Sequence, residues 1–133
     1  VSHCCCLYAT STFLTGTVLK DAWLQLTSSD KDFCFSATSF AYPIQRAFYF
    51  DDAGDIAMFD ESQFSRRSQD LVEAFHDAGQ FYWGKSKAFL SDAPMFSAHA
   101  SAFILPRYRV HDIDTPEDWE TAELVFSALE KQS

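Results

Sequence analysis

The strongest constraint on the fold is the order of its first three segments. Residues 4–9 form an uninterrupted apolar run, which is typical of a strand buried on both faces. Apolar residues from position 18 to position 26 recur at helical spacing, and the polar residues 28–30 end that pattern. Residues 33–41 then alternate as a strand does. This strand-helix-strand order favours an α/β fold.

The middle of the chain predicts further strands. Residues 47–50 and 56–59 are joined by an acidic, glycine-containing stretch and predict a hairpin with a loop. Residues 60–77 are polar and irregular, as functional loops often are. Residues 80–83 and 102–105 predict two more strands.

The last segment predicts a well-capped helix. Thr115 is a suitable N-cap, Pro116 fits the first helical position, and Asp118 follows the cap by three residues. The apolar residues beyond them form one stripe that we expect to be buried, namely Trp119, Ala122, Phe126 and Leu129. The whole pattern predicts an α/β sandwich with a mixed sheet. Because the sequence contains no internal repeat and no linker, we interpret residues 1–133 as a single domain.

Composition and charge narrow the class of partner. The 133 residues include 19 acidic and 10 basic side chains, for a net charge of −9, and 47% are hydrophobic. That apolar content excludes a disordered acidic tail, and the charge disfavours general nucleic-acid binding because phosphates are repelled. No apolar run reaches the roughly 18 residues of a membrane span, and no secretory leader pattern is seen. We therefore expect a soluble, cytoplasmic protein that binds neither nucleic acid nor membrane.

The four cysteines do not resemble a disulfide framework. Cys4, Cys5 and Cys6 are consecutive, so in a strand their side chains point to alternating faces. Together with His3 they could form a metal site, although zinc ligands are normally separated by at least two residues. The favoured interpretation is a buried strand, because free cysteines are often buried.

The sharpest local feature is the pair Asp112 and Asp114 just before the capped helix. In extended backbone these two carboxylates point to the same side, with Cα atoms about 7 Å apart, and Ile113 points to the core. Both side chains could then converge on Mg²⁺, which takes one or two carboxylates plus phosphate oxygens. The alternative is that both aspartates only favour the helix start through the helix dipole.

Two further clusters have functional and structural interpretations. Arg66 and Arg67, adjacent in a loop, suit a carboxylate or phosphate ligand through paired N–H donors, or they form a solvated turn. His76 beside Asp77 offers a general base oriented by a carboxylate, or only loop hydrogen bonds. No phosphate-binding glycine loop and no nucleophile elbow is present.

Three motifs in order carry a family resemblance: RRSQDL at residues 66–71, HDAGQFYW at 76–83 and DIDTPEDW at 112–119. Together they resemble the C-terminal half to two-thirds of bacterial cytidylyltransferases for nine-carbon acidic sugars. The pseudaminic acid branch is the most similar, and the CMP-sialic acid synthetases are relatives. Residues 4–14 resemble that family's central strand and following loop, and residues 35–45 resemble its next strand segment.

The resemblance implies a Rossmann-like nucleotide-diphospho-sugar transferase fold, usually dimeric. It implies an enzyme that transfers CMP from CTP to the anomeric hydroxyl of the sugar and releases pyrophosphate. Matched by position, Asp112 and Asp114 are the catalytic pair that binds Mg²⁺. The loop that binds the sugar acid is matched by Arg67, Gln69 and Asp70, and the loop beside the sugar by Tyr8, Thr10 and Ser11.

This sequence also departs from the family pattern. The basic, glycine-rich CTP loop lies on the family's first strand, and we expect this chain to begin after that strand. Thr12 and Val72 stand where the family often has proline. Without the nucleotide loop, the chain alone should bind CTP weakly and turn over slowly. The alternatives are an inactive, truncated homologue that acts as a sugar-acid-binding or assembly module, and an α/β scaffold with no retained site.

Overall fold

A computed structural model describes residues 1–131 and confirms the α/β prediction. The strands are β1 His3–Leu7, β2 Phe33–Ser39, β3 Phe48–Phe50, β4 Ile56–Met58, β5 Phe75–Lys85 and β6 Ala100–Ile104. The helices are α1 Gly16–Thr27, α2 Ser86–Phe89 and α3 Pro116–Glu130. Four strands form a sheet in the order β1-β5-β2-β6, with β1 antiparallel to β5 and β2 parallel to β6. None of the helices within residues 1–131 has the length and apolar content to cross a membrane.

The chain divides into two compact units. One comprises residues 1–38 and those from Asp77 onward, and it holds the four-stranded sheet except for the last residue of β2 and the first two residues of β5. The other comprises Ser39–His76 and holds the β3–β4 hairpin with several 3-10 turns. We refer to them as the sheet unit and the hairpin unit.

The sheet unit has apolar packing on both faces of its central strands. On one face, Ala22 and Leu26 of α1 pack with Cys34 and Phe81. On the other face, Phe35 and Ala37 of β2 pack with Tyr82. Residues 33–38 are therefore all buried, because β2 lies between β5 and β6 and is covered on both sides.

The prediction that residues 4–9 form a doubly buried strand is wrong in its burial. β1 forms, but Cys4 and Cys6 are exposed, and of its three cysteines Cys5 alone is partly buried, on the α1 side of the sheet. The physical reason is position, because β1 is an edge strand with one covered face. Burial raises the pKa of the Cys5 thiol to about 11. All four cysteines are free, and residues 1–131 hold no cluster of three or more His, Cys, Asp or Glu side chains suited to a metal.

Helix α3 begins as predicted, but its apolar stripe is mostly exposed. The Thr115 side chain accepts from Asp118 N at 3.2 Å, and Asp118 Oδ2 accepts from Thr115 N at 2.8 Å. Ala122 is 6% exposed, whereas Trp119 is 56% exposed and Phe126 50% exposed. The helix thus packs through its small residue, while the two aromatic side chains line an open cavity of about 600 Å³.

The hairpin unit confirms the predicted pair of strands and their loop. Phe48 pairs with Met58 and Phe50 with Ile56. In the loop, Asp51 Oδ1 accepts from the backbone amides of Ala53 and Asp55, each at 2.9 Å. Such a side chain is what lets a five-residue connection turn compactly.

Candidate functional site

The loop after β1 is anchored on a single carbonyl of β5. Tyr8 N donates to Gln80 O at 3.0 Å, and Ser11 Oγ donates to the same oxygen at 2.8 Å. Thr10 O accepts from Thr12 N at 2.8 Å, which closes the turn. The structure therefore brings together Tyr8, Thr10 and Ser11, the three residues predicted to lie beside the sugar. Tyr8 is 51% exposed, so its side chain is accessible to a ligand.

A pair of tyrosines stands next to this loop. The rings of Tyr8 and Tyr82 lie 5.4 Å apart, and Tyr82 Oη donates a hydrogen bond to Asp77 Oδ2. Burial, followed by the hydrogen bond with Asp77, raises the pKa of Tyr82 far above its ordinary value. The phenol therefore keeps its proton and donates it in the hydrogen bond to Asp77. Asp77 Oδ1 also accepts from Gly79 N at 2.8 Å, with Gly79 in the left-handed region at φ 61°.

Sequence reasoning did not identify Tyr82 as a site residue. Its signal was present in the HDAGQFYW motif, but the partner assigned to Asp77 there was His76. In the structure the Asp77 carboxylate binds Tyr82 and Gly79, while the His76 ring packs against Phe40 at 4.8 Å. Two residues five positions apart in a regular strand point to opposite faces, so the contact of Asp77 with Tyr82 depends on the left-handed backbone of Gly79 between them, at φ 61°.

The aspartate pair lies in the segment that joins β6 to α3. Asp112 and Asp114 are exposed, and Ile113 between them is partly buried and lines the cavity below α3. This alternation of exposure is the pattern expected of an extended segment with two residues in solvent and one apolar anchor. Within residues 1–131, neither carboxylate makes a hydrogen bond or an ion pair, whereas that of Asp118 is occupied by the helix cap.

Two contacts connect the aspartate segment with the first loop. Gln80 Nε2 donates to Arg109 O at 2.6 Å, three residues before Asp112. The His111 ring meets the buried Phe13 ring edge-on, with centroids 5.2 Å apart. The first loop and the aspartate segment are therefore both held at Gln80, in the middle of β5.

The predicted sugar-acid residues lie in the hairpin unit. Arg67 Nε forms an ion pair with Asp70 Oδ2 at 3.1 Å, across a 3-10 turn that also contains Gln69. The Arg67 side chain is 76% exposed, so this ion pair adds little stability and leaves most of the guanidinium accessible. Arg66 faces Gln63 instead, with Nη1 and Oε1 3.2 Å apart.

The donor set at the aspartate pair fits Mg²⁺ better than a softer metal. It offers two unpaired carboxylates in solvent and, among the described residues, no third ligating side chain nearby. Mg²⁺ is commonly held by one or two carboxylates and completes its shell with substrate phosphates and water. A structural zinc site would instead need about four protein ligands.

The α/β fold with a mixed sheet is consistent with the class of Rossmann-like nucleotidyltransferases. Sequence comparison is more specific. A pseudaminic acid cytidylyltransferase of Campylobacter jejuni subsp. jejuni serotype O:23/36 is 48% identical over 124 residues, which are 93% of this chain and 53% of that relative. The protein of the same name from serotype O:2 gives the same values.

A third relative combines two functions in its name. It is the Helicobacter pylori pseudaminic acid cytidylyltransferase and UDP-2,4-diacetamido-2,4,6-trideoxy-beta-L-altropyranose hydrolase, 34% identical over 129 residues, 96% of this chain and 25% of that relative. No protein-family model matches the chain. The chain is thus related in sequence, over nearly all of its length, to the pseudaminic acid cytidylyltransferases, and it spans about half the length of the two Campylobacter relatives.

Proposed function

We propose that this chain supplies the sugar side of a cytidylyltransferase that makes a CMP-activated nine-carbon acidic sugar, with pseudaminic acid as the substrate. The observation that carries this proposal is the 48% identity over 93% of the chain. In the reaction, the anomeric hydroxyl oxygen attacks the α-phosphorus of CTP and loses its proton. The bond from that phosphorus to the bridging oxygen of the β-phosphate breaks, and pyrophosphate leaves.

The residues have distinct roles in this proposal. Asp112 and Asp114 hold Mg²⁺, which when bound supplies charge neutralisation at the phosphates and polarises the attacking hydroxyl. Tyr8, Thr10 and Ser11 line the sugar side. Because their loop is tied to a buried strand residue, it is held in place before the substrate arrives.

The sugar carboxylate is assigned to the hairpin unit. Arg67 can offer its exposed N–H groups to a carboxylate while Asp70 holds its Nε. Gln69, exposed in the same turn, offers a neutral donor for the hydroxyls of the sugar. The chain has a net charge of −9 and therefore repels an acidic sugar. A cationic side chain at the binding site, here the Arg67 guanidinium, must offset this repulsion.

The direct test is pyrophosphate release from CTP, Mg²⁺ and pseudaminic acid, with sialic acid as the alternative sugar. It should be run on this chain and on the gene product extended upstream to include a glycine-rich nucleotide loop. We expect turnover by the extended protein, which Asp112→Asn lowers about 100-fold, and little turnover by residues 1–133 alone. If the extended protein releases no pyrophosphate with either sugar, the enzymatic proposal is wrong.

The second candidate is a non-catalytic module that keeps the sugar-acid loop. The exposed Arg67 ion pair favours it, because that group does not depend on a nucleotide site. Calorimetry of the 133-residue chain with the sugar acid, with and without Mg²⁺, separates the two candidates. Binding that is independent of Mg²⁺ and CTP, in a protein without turnover, would support the module.

Assembly and location belong to the same proposal. We propose a homodimer, because the hairpin unit exposes large apolar side chains such as Phe50 and Ile56, each 67% exposed, on one small unit. We propose a cytoplasmic location, and four free thiols suit a reducing compartment.

A further inference from the structure

Gln80 stands out as a buried polar side chain in the middle of the sheet unit. It is 3% exposed on β5, where a strand between two others would ordinarily carry an apolar residue. Burying an amide costs free energy unless it is hydrogen-bonded, so such a residue needs a reason beyond packing. Its partners supply that reason.

The backbone of Gln80 joins two segments. Its carbonyl accepts from Tyr8 N and from Ser11 Oγ, as described above. Its amide donates to the buried Ser36 hydroxyl on β2 at 3.1 Å. The loop predicted to lie beside the sugar is therefore hydrogen-bonded to β5 through Gln80, and the same residue hydrogen-bonds β5 to β2.

The side chain of Gln80 joins a third segment. Its Nε2 donates to Arg109 O at 2.6 Å, and Arg109 begins the last stretch before the aspartate pair. Arg109 N and Val110 N are themselves bonded back to Pro106 O and Arg107 O, at 2.9 and 3.0 Å. The carbonyl that Gln80 holds is thus part of a tight turn, and moving this turn would move Asp112.

We propose that Gln80 is a positioning residue that fixes the aspartate segment relative to the Tyr8–Ser11 loop. This inference rests on the proposed function, because in it the side-chain amide of Gln80 holds the proposed metal-binding carboxylates beside the Tyr8–Ser11 loop. A leucine or methionine of similar length would fill the same space but could not donate to Arg109 O. The anchoring of the aspartate segment would then be lost without opening a cavity.

The test compares Gln80→Leu with Gln25→Leu in the 133-residue chain. Gln25 is a matched control because its Nε2 also donates to a backbone carbonyl, Ala102 O at 3.0 Å, on β6. Two quantities are measured: amide hydrogen exchange at Arg109 and Val110, and Mn²⁺ affinity by electron paramagnetic resonance. We expect Gln80→Leu to speed exchange at these two amides about tenfold more than at α1 amides, and to weaken Mn²⁺ binding about tenfold. We expect Gln25→Leu to do neither.

The outcomes separate the positioning role from the proposed function. If the wild-type chain binds Mn²⁺ no better than Asp112→Asn, the metal assignment is wrong, and the exchange result alone decides the role of Gln80. If Gln80→Leu leaves exchange at Arg109 and Val110 unchanged, or speeds it equally throughout the sheet unit, the positioning role is wrong. Should Gln80→Leu fail to fold, Gln80→Met keeps an unbranched side chain and gives the same comparison.

Discussion

At the scale of single residues, the carboxylates on either side of the start of α3 have different roles. Asp118 accepts hydrogen bonds from the Thr115 hydroxyl and backbone, which hold its pKa below the usual range. Asp112 and Asp114 are exposed, and within residues 1–131 they make no such bonds. The cluster is therefore divided into one structural carboxylate and two that are available to a cation.

Replacing either available carboxylate should remove activity without affecting the fold. We expect Asp112→Asn or Asp114→Asn to lower kcat/KM in the pyrophosphate assay about 100-fold, because each removes a charged cation ligand. The free energy of unfolding should change by less than about 0.5 kcal/mol, as for other exposed positions. Glu120→Gln, an exposed carboxylate on α3, is the control. Activity retained by both aspartate variants would contradict the metal assignment.

At the scale of elements, β5 is the strand on which the sheet unit depends. It pairs with β1, lies next to β2, and carries Asp77, Gln80 and Tyr82 near the loop that follows β1.

The last part of β5 packs closely against α2. A Cβ at Gly84 would lie 2.5 Å from Phe89 Cε2 and 2.7 Å from Phe33 Cδ1, so only glycine fits between these rings.

A methyl group at Gly84 should therefore be costly. We expect Gly84→Ala to destabilise the protein by about 1–3 kcal/mol, because two packed aromatic rings must shift. Urea unfolding followed by tryptophan fluorescence measures this difference. Gly16→Ala is the matched control, since a Cβ at Gly16 meets no atom within 4 Å. Equal stability of the two variants would show that the Phe33 and Phe89 rings yield at little cost.

At the scale of the whole molecule, acid should unfold the chain through three carboxyls in different places. Hydrogen bonds hold the pKa below its ordinary value in each: from Lys85 to Asp32, from the Ser62 hydroxyl to Asp60, and from the Thr115 hydroxyl to Asp118. A lowered native pKa contributes stability above the unfolded pKa of about 3.9, and that contribution is lost as pH falls through the native pKa.

The urea midpoint should accordingly fall as pH is lowered from about 5 through the range below 4. Each of Asp32→Asn, Asp60→Asn and Asp118→Asn should flatten this decline, because the variant has no proton to gain there. Asp52→Asn, exposed and without a hydrogen bond within residues 1–131, is the comparison and should leave the decline as it is. A decline of the same size in all four variants would exclude these carboxyls as its origin.

The exposed hairpin predicts self-association. Phe50 and Ile56 form a cross-strand pair, and both are 67% exposed. We expect Phe50→Ser combined with Ile56→Ser to shift the protein from dimer toward monomer in light scattering after size exclusion, because the apolar contact surface is reduced. Leu24→Ser, at an exposed apolar residue of α1, should leave the mass unchanged. A monomeric wild-type protein would contradict the dimer proposal.

Sequence patterns located most elements because their signals are local. The N-cap of α3, the loop of the β3–β4 hairpin and the periodicity of α1 each depend on residues close together in the chain. Burial was predicted less well. The apolar run of β1 and the aromatic stripe of α3 have the composition of core segments, yet both are largely exposed, since burial depends on which neighbours lie against them.

The candidate site divides in the same way. The exposure of Asp112 and Asp114 was predictable because alternate residues of an extended segment face solvent when the apolar residue between them faces the core. The link from Gln80 to Arg109, and the pairing of Asp77 with Tyr82, were not predictable from spacing. Gln80 and Arg109 are 29 positions apart, and only the strand order brings them within hydrogen-bond distance.

By itself, the sequence determined the α/β class, the helix caps, the hairpin and the identity of the acidic pair, because these follow from local periodicity, capping chemistry and side-chain charge. Only the tertiary structure decided that β1 is an edge strand, that α3 packs through Ala122, and that Gln80 joins the first loop to the aspartate segment. These features depend on contacts between distant parts of the chain. The entropy lost in bringing those parts together, and the free energy gained from their contacts, are set only when the whole sheet unit has formed.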